Sequence, residues 1–381
     1  MRRLFPLVAA VVLVDTMFFA AVAPLLPHYS DELGLSKSAA GVLAAAYPAG
    51  TLVGSLPAGW LAARVGVKPT VLLGLGLLAV TSVAFGFAQS VVVLDIARFA
   101  QGIGGACSWA GGLAWLVTAS PADRRGTVIG SALGAAIVGV LLGPALGGLA
   151  TILSPELVFS GVAVVACGLA AWAWTVPGTP PERSAGMRAV GRALRRPAVL
   201  LAFWLFTLPA IFAGAIEVLG PLRLDELGAS GALIGLIFLL IAGVEAVLSP
   251  LSGRLSDRLG RLAPIRVGLA GAVVMAALIP LPETIVLTAF ALLATIAALG
   301  AFWAPAMALL SDASEAAGLD QALAFGLTNL AWAAGHMAGS AGGAALADAT
   351  TDALPYALLG VACAVTLGAL LRLPRRAAAP R

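Results

Sequence analysis

Residues 253–262 read GRLSDRLGRL and directly follow the apolar run LIGLIFLLIAGVEAVLSPLS. An earlier stretch, residues 59–68, reads GWLAARVGVK and also follows an apolar run. Both contain the pattern Gly-x-Leu-x-x-Arg-x-Gly, although Ala63 stands where the later copy has Asp257. A charged, glycine-containing motif that recurs after a helix-length apolar run indicates that the chain repeats one structural unit.

The composition predicts a protein that is dissolved in lipid. Only 10% of the 381 residues are charged, 61% are hydrophobic, and the mean hydropathy is +1.03. Soluble chains usually contain about 25% charged residues. A water-soluble fold of this size could not bury so much apolar surface, so we expect the lipid bilayer to be a partner of the chain.

Several other classes of partner are disfavoured. The net charge is +4, and the basic residues are not clustered among aromatic residues, which argues against nucleic acid. The three cysteines lie far apart in apolar runs without a CxxC pair, and His28 and His336 are the only histidines. We therefore expect no metal site, no disulfide and no bound cofactor.

The apolar runs set the number of membrane spans, because a helix needs about 20 apolar residues to cross a bilayer. The eleventh run is the weakest, since Ala and Gly dominate it and it contains Asn329 and His336. We expect an all-α integral membrane protein with twelve transmembrane helices, at residues 4–27, 39–62, 69–88, 91–119, 127–152, 157–176, 198–222, 232–252, 263–281, 284–310, 322–347 and 353–372.

The basic residues predict the orientation of these spans. If the N-terminus lies inside, the inner segments contain 19 of the 22 Lys and Arg residues, and the outer segments contain only Lys37 and Arg223. This bias follows the positive-inside rule. The high Ala, Gly and Arg content suggests a bacterial source. We expect a multi-pass protein of the bacterial cytoplasmic (inner) membrane with both termini in the cytoplasm.

The repeat extends beyond the loop motif. A shift of 194 residues places Pro27 on Pro221 and the DELG stretch at 31–34 on the DELG stretch at 225–228. A shift of 196 residues places four glycines on four others: Gly130, Gly139, Gly143 and Gly147 on Gly326, Gly335, Gly339 and Gly343. The sequence therefore predicts two pseudo-symmetric six-helix halves in parallel orientation.

The halves are expected at residues 1–176 and 198–381, joined by a cytoplasmic linker at 177–197 that is rich in Pro, Gly and Arg. Parallel repeats with a substrate site at their interface are a transporter architecture.

The motifs resemble one known family. GRLSDRLGRL is similar to the loop between the second and third helices of each half in the major facilitator superfamily. The stretch RFAQGIG at 98–104 resembles the arginine motif of its fourth helix, and GVLLGPALGG at 139–148 resembles its fifth-helix antiporter motif. DTMFFAAVAPLLP at 15–27 is similar to the first helix of drug:proton antiporters and vesicular amine transporters.

The resemblance covers essentially the whole chain and implies the major facilitator fold of the twelve-helix drug:proton antiporters. It assigns gating or conformational roles to the motif residues Gly59, Arg64, Gly66, Gly143, Pro144, Gly147, Gly148, Gly253, Asp257, Arg258 and Gly260. In the family the loop acid is usual in the first half, where this chain has Ala63. Its loss either weakens one cytoplasmic contact between the halves or is tolerated because the second copy suffices.

Ionisable residues inside spans are candidate functional sites, because charge in a bilayer is costly. Asp15 is our first candidate for cation recognition or proton binding, since it lies near the middle of the first span. Glu217, Glu245 and His336 are further candidates for substrate or proton binding. Each could instead have a purely structural role.

Asp95 and Arg98 lie one turn apart on the fourth span. They could simply neutralise each other. The resemblance instead favours a coupling role for Arg98, with Gln101 beside it.

Together these features favour a secondary transporter that exports small amphipathic, cationic compounds in exchange for protons by alternating access. The chain is not expected to be an enzyme, and the monomer is the expected functional unit. Export of neutral metabolites such as sugars or amino acids is the alternative within this class. A non-transporting membrane sensor or enzyme is the alternative outside it.

Overall fold

The computed structural model describes residues 3–120, 125–178, 188–319 and 321–372, and they are almost entirely helical. Residues 179–187 of the predicted linker at 177–197 lie outside the described residues. Fifteen α-helices are described, in the order α1 Leu4–Ala20, α2 Leu26–Leu33, α3 Lys37–Arg64, α4 Val67–Gly86, α5 Val91–Ala119, α6 Arg125–Ile152, α7 Pro155–Thr175, α8 Arg188–Ala193, α9 Pro197–Glu226, α10 Gly231–Leu259, α11 Leu262–Leu278, α12 Ile285–Ala316, α13 Gln321–Met337, α14 Gly343–Ala349 and α15 Ala353–Arg372.

Within the described residues, ten helices are long and apolar enough to cross a membrane. They match ten of the twelve expected spans, so the prediction of an all-α membrane protein is confirmed. The ninth expected span coincides with α11, a shorter apolar helix of 17 residues. The eleventh is divided into α13, a π-helical turn at Ala338–Gly342 and α14. The count of twelve stays a prediction.

One break distinguishes the first span from a single straight helix. A 3₁₀ turn at Ala23–Leu25, with Pro24 in its first positions, separates α1 from α2. Proline has no N–H to donate to the preceding turn, which favours a break in the helix at this place.

The chain divides into two compact units. The first contains Met1–Leu35, Val42–Gly186 and Gly231–Leu239, and the second contains Ser36–Gly41, Met187–Ser230 and Leu240–Arg381. The first residues of α3 therefore belong to the second unit, and the first residues of α10 belong to the first.

Each unit packs its helices in the same pattern. In the first unit α1 packs on α6, and α4 packs on both α5 and α7. In the second unit α9 packs on α13, and α11 packs on both α12 and α15. These pairs correspond under the repeat, so the units have the same internal arrangement of helices.

Glycine explains the closest of these contacts. A Cβ added at Gly139, Gly143 or Gly147 of α6 would collide with the backbone of α1 or with side chains on it. A Cβ added at Gly335 or Gly339 would collide in the same way with the backbone of α9. Small residues allow two helix backbones to approach closely, which is the main source of helix association in lipid.

Local signals also recur at equivalent positions. The hydroxyls of Ser90 and Thr284, which are 194 residues apart, cap α5 and α12 by accepting hydrogen bonds from Val93 N and Leu287 N. The last glycines of the two loop motifs, Gly66 and Gly260, have φ of 113° and 83°, which favour glycine.

In each unit a basic side chain donates hydrogen bonds to carbonyls at the end of a neighbouring helix. Lys68 Nζ, at the start of α4, donates to the carbonyls of Trp174 and Val176 at 2.6 and 2.9 Å. Arg266 Nη2, near the start of α11, donates to the carbonyl of Leu370 at 2.8 Å. Both cations therefore satisfy carbonyls at the C-terminal end of the sixth helix of their repeat, which otherwise lack intrahelical partners.

Candidate functional site

Asp15 lies on α1 within the first unit and is buried, with 1% of its surface exposed. The hydroxyl of Tyr47, on α3, donates a hydrogen bond to Asp15 Oδ2 at 2.9 Å. Among the described residues Asp15 forms no ion pair within 4 Å. Its carboxylate is thus held by a neutral donor in the interior of a membrane helix.

Arg98, on α5, is fully buried beside this carboxyl site. Its Nη1 donates to Gln101 Oε1 at 2.6 Å, and its Nη2 donates to the carbonyl of Phe19 at 3.2 Å. The guanidinium also lies over the ring of Tyr47, 5.1 Å from its centroid. The Arg98 guanidinium therefore contacts Gln101, Phe19 and Tyr47. Tyr47 connects Asp15 with Arg98, by a hydrogen bond on one side and a cation–π contact on the other.

Two glycines of α5 make room for this network, which we call the Asp15 network (Asp15, Tyr47, Arg98 and Gln101). A Cβ at Gly105 would lie 3.0 Å from both carboxylate oxygens of Asp15 and would collide with the Tyr47 hydroxyl. A Cβ at Gly102 would collide with the carbonyl of Tyr47. The motif glycines after Arg98 therefore let α5 approach α3 at the level of the carboxyl group.

Glu217 and His336 meet in the second unit. His336 Nε2 and Glu217 Oε2 are in direct contact, and the two side chains are only 7% and 12% exposed. The indole of Trp332, one turn earlier on α13, stacks on the imidazole with ring centroids 5.2 Å apart. The hydroxyl of Ser340, which lies within the π-helical turn, donates to the His336 carbonyl at 2.9 Å. Sequence alone placed these two residues on separate spans without pairing them.

The remaining ionisable candidates lie outside these two constellations. Glu245, on α10, belongs to the second unit and is half-buried. Asp95, on α5, is also half-buried, and its Oδ1 is buried without a hydrogen-bond partner among the described residues.

The motif residues form three groups: the loop glycines Gly59 and Gly253, the loop arginines Arg64 and Arg258, and the antiporter motif on α6. A Cβ at Gly59 or Gly253 would meet no described atom within 4 Å, so close packing within a unit does not require glycine there. Arg64 lies over the ring of Trp60 at 5.3 Å, and Arg258 is exposed.

In the third group, the carbonyl of Pro144 would lie 2.9 Å from a Cβ at Gly235, and Gly148 approaches the same residue. The antiporter motif on α6 therefore contacts α1 through three glycines and the start of α10 through Pro144 and Gly148.

Asp257 belongs to an ion-pair cluster in the second unit. It accepts a hydrogen bond from Arg261 Nη1 at 2.6 Å, and Arg261 Nε donates to Asp312 Oδ2, near the end of α12, at 3.2 Å. The first unit has Ala63 and Val67 at the corresponding positions.

Sequence analysis missed Tyr47, whose only signal is that it is one of three tyrosines and lies inside an apolar span. Within the described residues, no group of three or more His, Cys, Asp and Glu side chains could hold a metal ion. Two repeated units of membrane-length helices, with carboxylates held inside them, are an arrangement typical of membrane transporters.

The comparisons agree with this class. The model of the Major Facilitator Superfamily matches residues 8–318 and 215–381. The chain therefore belongs to the Major Facilitator Superfamily, whose members are transporters and not enzymes, so it is a membrane transporter. The predicted family and the expectation that the chain is not an enzyme are confirmed.

The named relatives are similar over part of their length. The chain is 26% identical to multidrug resistance protein 1 of Bacillus subtilis over 210 residues, which are 54% of each chain. It is 39% identical to the human synaptic vesicular amine transporter over 90 residues, 23% of this chain and 18% of that protein. The chain spans 22% to 35% of the length of the fungal MFS-type transporters that it matches.

The solved structures support the fold. A bacterial homologue of the human lysosomal transporter Spinster matches with a TM-score of 0.76 at 15% identity, over 97% of this chain and 94% of that one. At this identity the likeness shows the fold alone.

Proposed function

We propose that this transporter exports small amphipathic, cationic compounds in exchange for protons, and that Asp15 binds both. The observation that carries the proposal is the Asp15 carboxyl group, buried on α1 without an ion pair among the described residues and hydrogen-bonded by Tyr47. A carboxyl group in a low-dielectric site can hold either a proton or an organic cation. Because one carboxylate cannot hold both, binding of a proton releases the cation.

The Asp15 network supplies the other parts of such an exchange. The hydrogen bonds of Arg98 to Gln101 and Phe19 hold its guanidinium in place beside the site. The aromatic rings of Phe19 and Tyr47 lie 4.9 Å apart and also contact this guanidinium, so an apolar cation would meet aromatic surface there. Alternating access of the site to the two sides of the membrane completes transport.

The Glu217–His336 pair is a second candidate site for protons or substrate. The carboxylate and the imidazole are in direct contact and are both largely buried inside the second unit. Glu245 in the same unit stays a third candidate.

Relatives support the cationic substrate class. The Bacillus subtilis relative is named as a multidrug resistance protein and the human relative as a vesicular amine transporter. The alternative within the class is export of neutral metabolites such as sugars or amino acids. It is disfavoured because few polar uncharged residues occur in the spans, whereas a sugar site is rich in Asn and Gln.

The finer predictions from the sequence belong to the same proposal. We place the protein in a bacterial inner membrane with both termini in the cytoplasm, on the strength of the positive charge bias. The two halves at residues 1–176 and 198–381 would move about the site, and the monomer would be the working unit.

The test uses purified full-length protein in liposomes that are acidic inside and contain a pH-sensitive dye. Lipophilic cations, neutral sugars and amino acids are added in turn to the wild type and to Asp15→Asn. We expect cations to release protons from wild-type liposomes and not from those with Asp15→Asn. Asp31→Asn, a change of an exposed acid between α1 and α3, is the matched control and should behave as wild type.

The other outcomes are equally informative. If only a neutral solute releases protons, the cationic substrate class is wrong and the fold and family stand. If cations bind but nothing releases protons, the coupling ion is not the proton. If Asp15→Asn retains full exchange, Asp15 is not the shared site, and the same assay on Glu217→Gln and His336→Gln then tests the second pair.

A further inference from the structure

Lys37, the first residue of α3, lies at the centre of a group of charges in the second unit. Its Nζ contacts both carboxylate oxygens of Asp352, at 2.7 and 2.9 Å, and Glu226 Oε1 at 3.0 Å. Arg223 Nη1 contacts the other oxygen of Glu226 at 3.2 Å. We call these four residues the Lys37 cluster. The two basic residues of the cluster are the only two that the charge count assigns to the outer segments.

The first turn of α3 is fastened by three further contacts. The Ser36 hydroxyl accepts from Ala39 N at 3.2 Å, and Asp348 Oδ2 accepts from Ser38 N at 3.3 Å. Gly41 packs so closely on Ala344 that an added Cβ would collide with it. Residues 36–41 accordingly belong to the second unit, although the rest of α3 belongs to the first.

The repeat places an equivalent contact at the start of α10, and that contact is neutral. Gly235 corresponds to Gly41, and an added Cβ there would lie 3.0 Å from Gly148 Cα. Gly231 corresponds to Lys37, and its neighbour is the side chain of Thr151. Residues 231–239, at the start of α10, belong to the first unit, whereas the rest of α10 belongs to the second. The start of α3 is assigned in the corresponding way, to the second unit. The ion pairs are the difference between the two contacts.

A cavity of about 420 Å³ lies directly beside the Lys37 cluster. Lys37, Arg223 and Asp352 line it together with Thr350 and Thr351. The side chains of Lys37 and Asp352 are 28% and 27% exposed, so water and small ions reach these ion pairs.

We propose that the Lys37 cluster is an ionic latch for the predicted outer end of α3, and that the neutral glycine contact at the start of α10 is the pivot. The hydrogen bonds within these ion pairs depend on geometry and weaken steeply when their distance or angle departs from the optimum. Contacts between small residues tolerate rolling and sliding without loss of any polar bond. The contact at the start of α3 is therefore lost before the contact at the start of α10. Salt promotes its loss because mobile ions screen exposed charges.

Two buried residues at corresponding positions of the repeat can report separately on the accessibility of the start of α3 and of the start of α10. Ala40 and Ile234 are both 0% exposed and are 194 residues apart. Each is replaced by cysteine in a full-length protein that lacks Cys107, Cys167 and Cys363. Labelling by a water-soluble maleimide is then timed in lipid nanodiscs, where both faces are accessible.

Asp352→Asn combined with Glu226→Gln should raise the labelling rate of the reporter at position 40 about tenfold, as a loss of two partly exposed ion pairs predicts. The rate at position 234 should change less than about twofold. The exchange Lys37→Asp with Asp352→Lys, made together with Glu226→Gln so that no like charge faces position 37, should restore slow labelling at position 40. Arg254→Gln, which removes an exposed cation at the other end of α10, is the control.

Salt provides a measurement that needs no change in the cluster. Raising sodium chloride from about 0.01 M to about 1 M should accelerate labelling at position 40, and Lys37→Gln should abolish this dependence. Equal acceleration at both reporters, or none at either, would overturn the latch. Transport is not measured, so the result does not depend on the proposed substrate.

Discussion

The two units share a scaffold and differ in the chemistry that it holds. Glycines at corresponding positions bring α6 onto α1 and α13 onto α9. The ionisable side chains inside the spans do not correspond: Asp15 falls on Pro209, and Arg98 falls on Leu292. The first unit holds a carboxylate beside a buried guanidinium, whereas the second holds a contact between Glu217 and His336. Duplication has therefore preserved the backbone contacts, while each copy has acquired its own ionisable groups.

The largest expected effect comes from breaking the shared scaffold. Gly143→Leu and Gly335→Leu each place a side chain where the backbone of a neighbouring helix lies. A backbone cannot move away as a flexible side chain can, so each change should cost about 3 kcal/mol or more. We expect loss of monodisperse protein in size-exclusion chromatography.

Each of these changes has a control on its own helix. Gly134 on α6 and Gly326 on α13 have no described atom within 4 Å of an added Cβ. Gly134→Leu and Gly326→Leu should therefore leave the yield and the unfolding midpoint close to those of wild type. Equal damage from all four substitutions would show that helix flexibility, and not close packing, explains the conserved glycine positions in the two copies.

The next largest effect tests the buried guanidinium of Arg98, to which no charge corresponds in the second unit. Gln101→Leu removes one acceptor of the buried Arg98 guanidinium, the one at 2.6 Å. A hydrogen bond to a buried charge contributes about 2–3 kcal/mol, so the unfolding midpoint should fall clearly. Thr295→Val at the corresponding position should cost less than about 1 kcal/mol, because Thr295 bonds only within its own helix, to the carbonyl of Ala291. A similar loss at both positions would contradict a special role for Arg98.

A smaller change separates transport from stability. Tyr47→Phe removes the hydroxyl that donates to Asp15 and leaves the ring in place. We expect proton exchange to fall about tenfold, which corresponds to one charged hydrogen bond of about 1.4 kcal/mol. Tyr29→Phe is the matched control, because the Tyr29 hydroxyl is buried without a hydrogen-bond partner among the described residues. If Tyr29→Phe impairs exchange equally, the hydroxyl of Tyr47 has no particular part in the site.

The sequence predicted those features that depend on periodicity and on the repeat. Apolar runs located the long helices, and the glycines at 194- and 196-residue shifts correspond to matched close contacts in the two units. It did not predict that Glu217 meets His336 or that Tyr47 bonds to Asp15, because such pairs depend on the rotation of distant helices about their axes. Apolar length also missed the π-helical turn at Ala338–Gly342, since hydropathy does not record backbone hydrogen bonding.

The smallest effect concerns the acid that the first loop motif lacks. Asp257 bonds to Arg261, but the position that corresponds to Arg261 is Val67, which is only 5% exposed. An arginine could not occupy Val67's place without burying its charge, so an acid at position 63 would have no such partner one turn later. The missing acid and the missing cation are therefore consistent with one another. Ala63→Asp should change the unfolding free energy by less than about 1 kcal/mol, because position 63 is only partly buried.

The reciprocal change, Asp257→Ala, leaves Arg261 with Asp312 and should be equally mild. What distinguishes the two hypotheses for Ala63 is conformation and not stability. If the missing acid weakens a contact between the halves at the predicted cytoplasmic face, Ala63→Asp should slow maleimide labelling of a cysteine placed at that face and reduce the rate of proton exchange. Unchanged labelling and unchanged exchange would mean that the single acid at Asp257 suffices, and that the two loop motifs need not be chemically equal for the transporter to work.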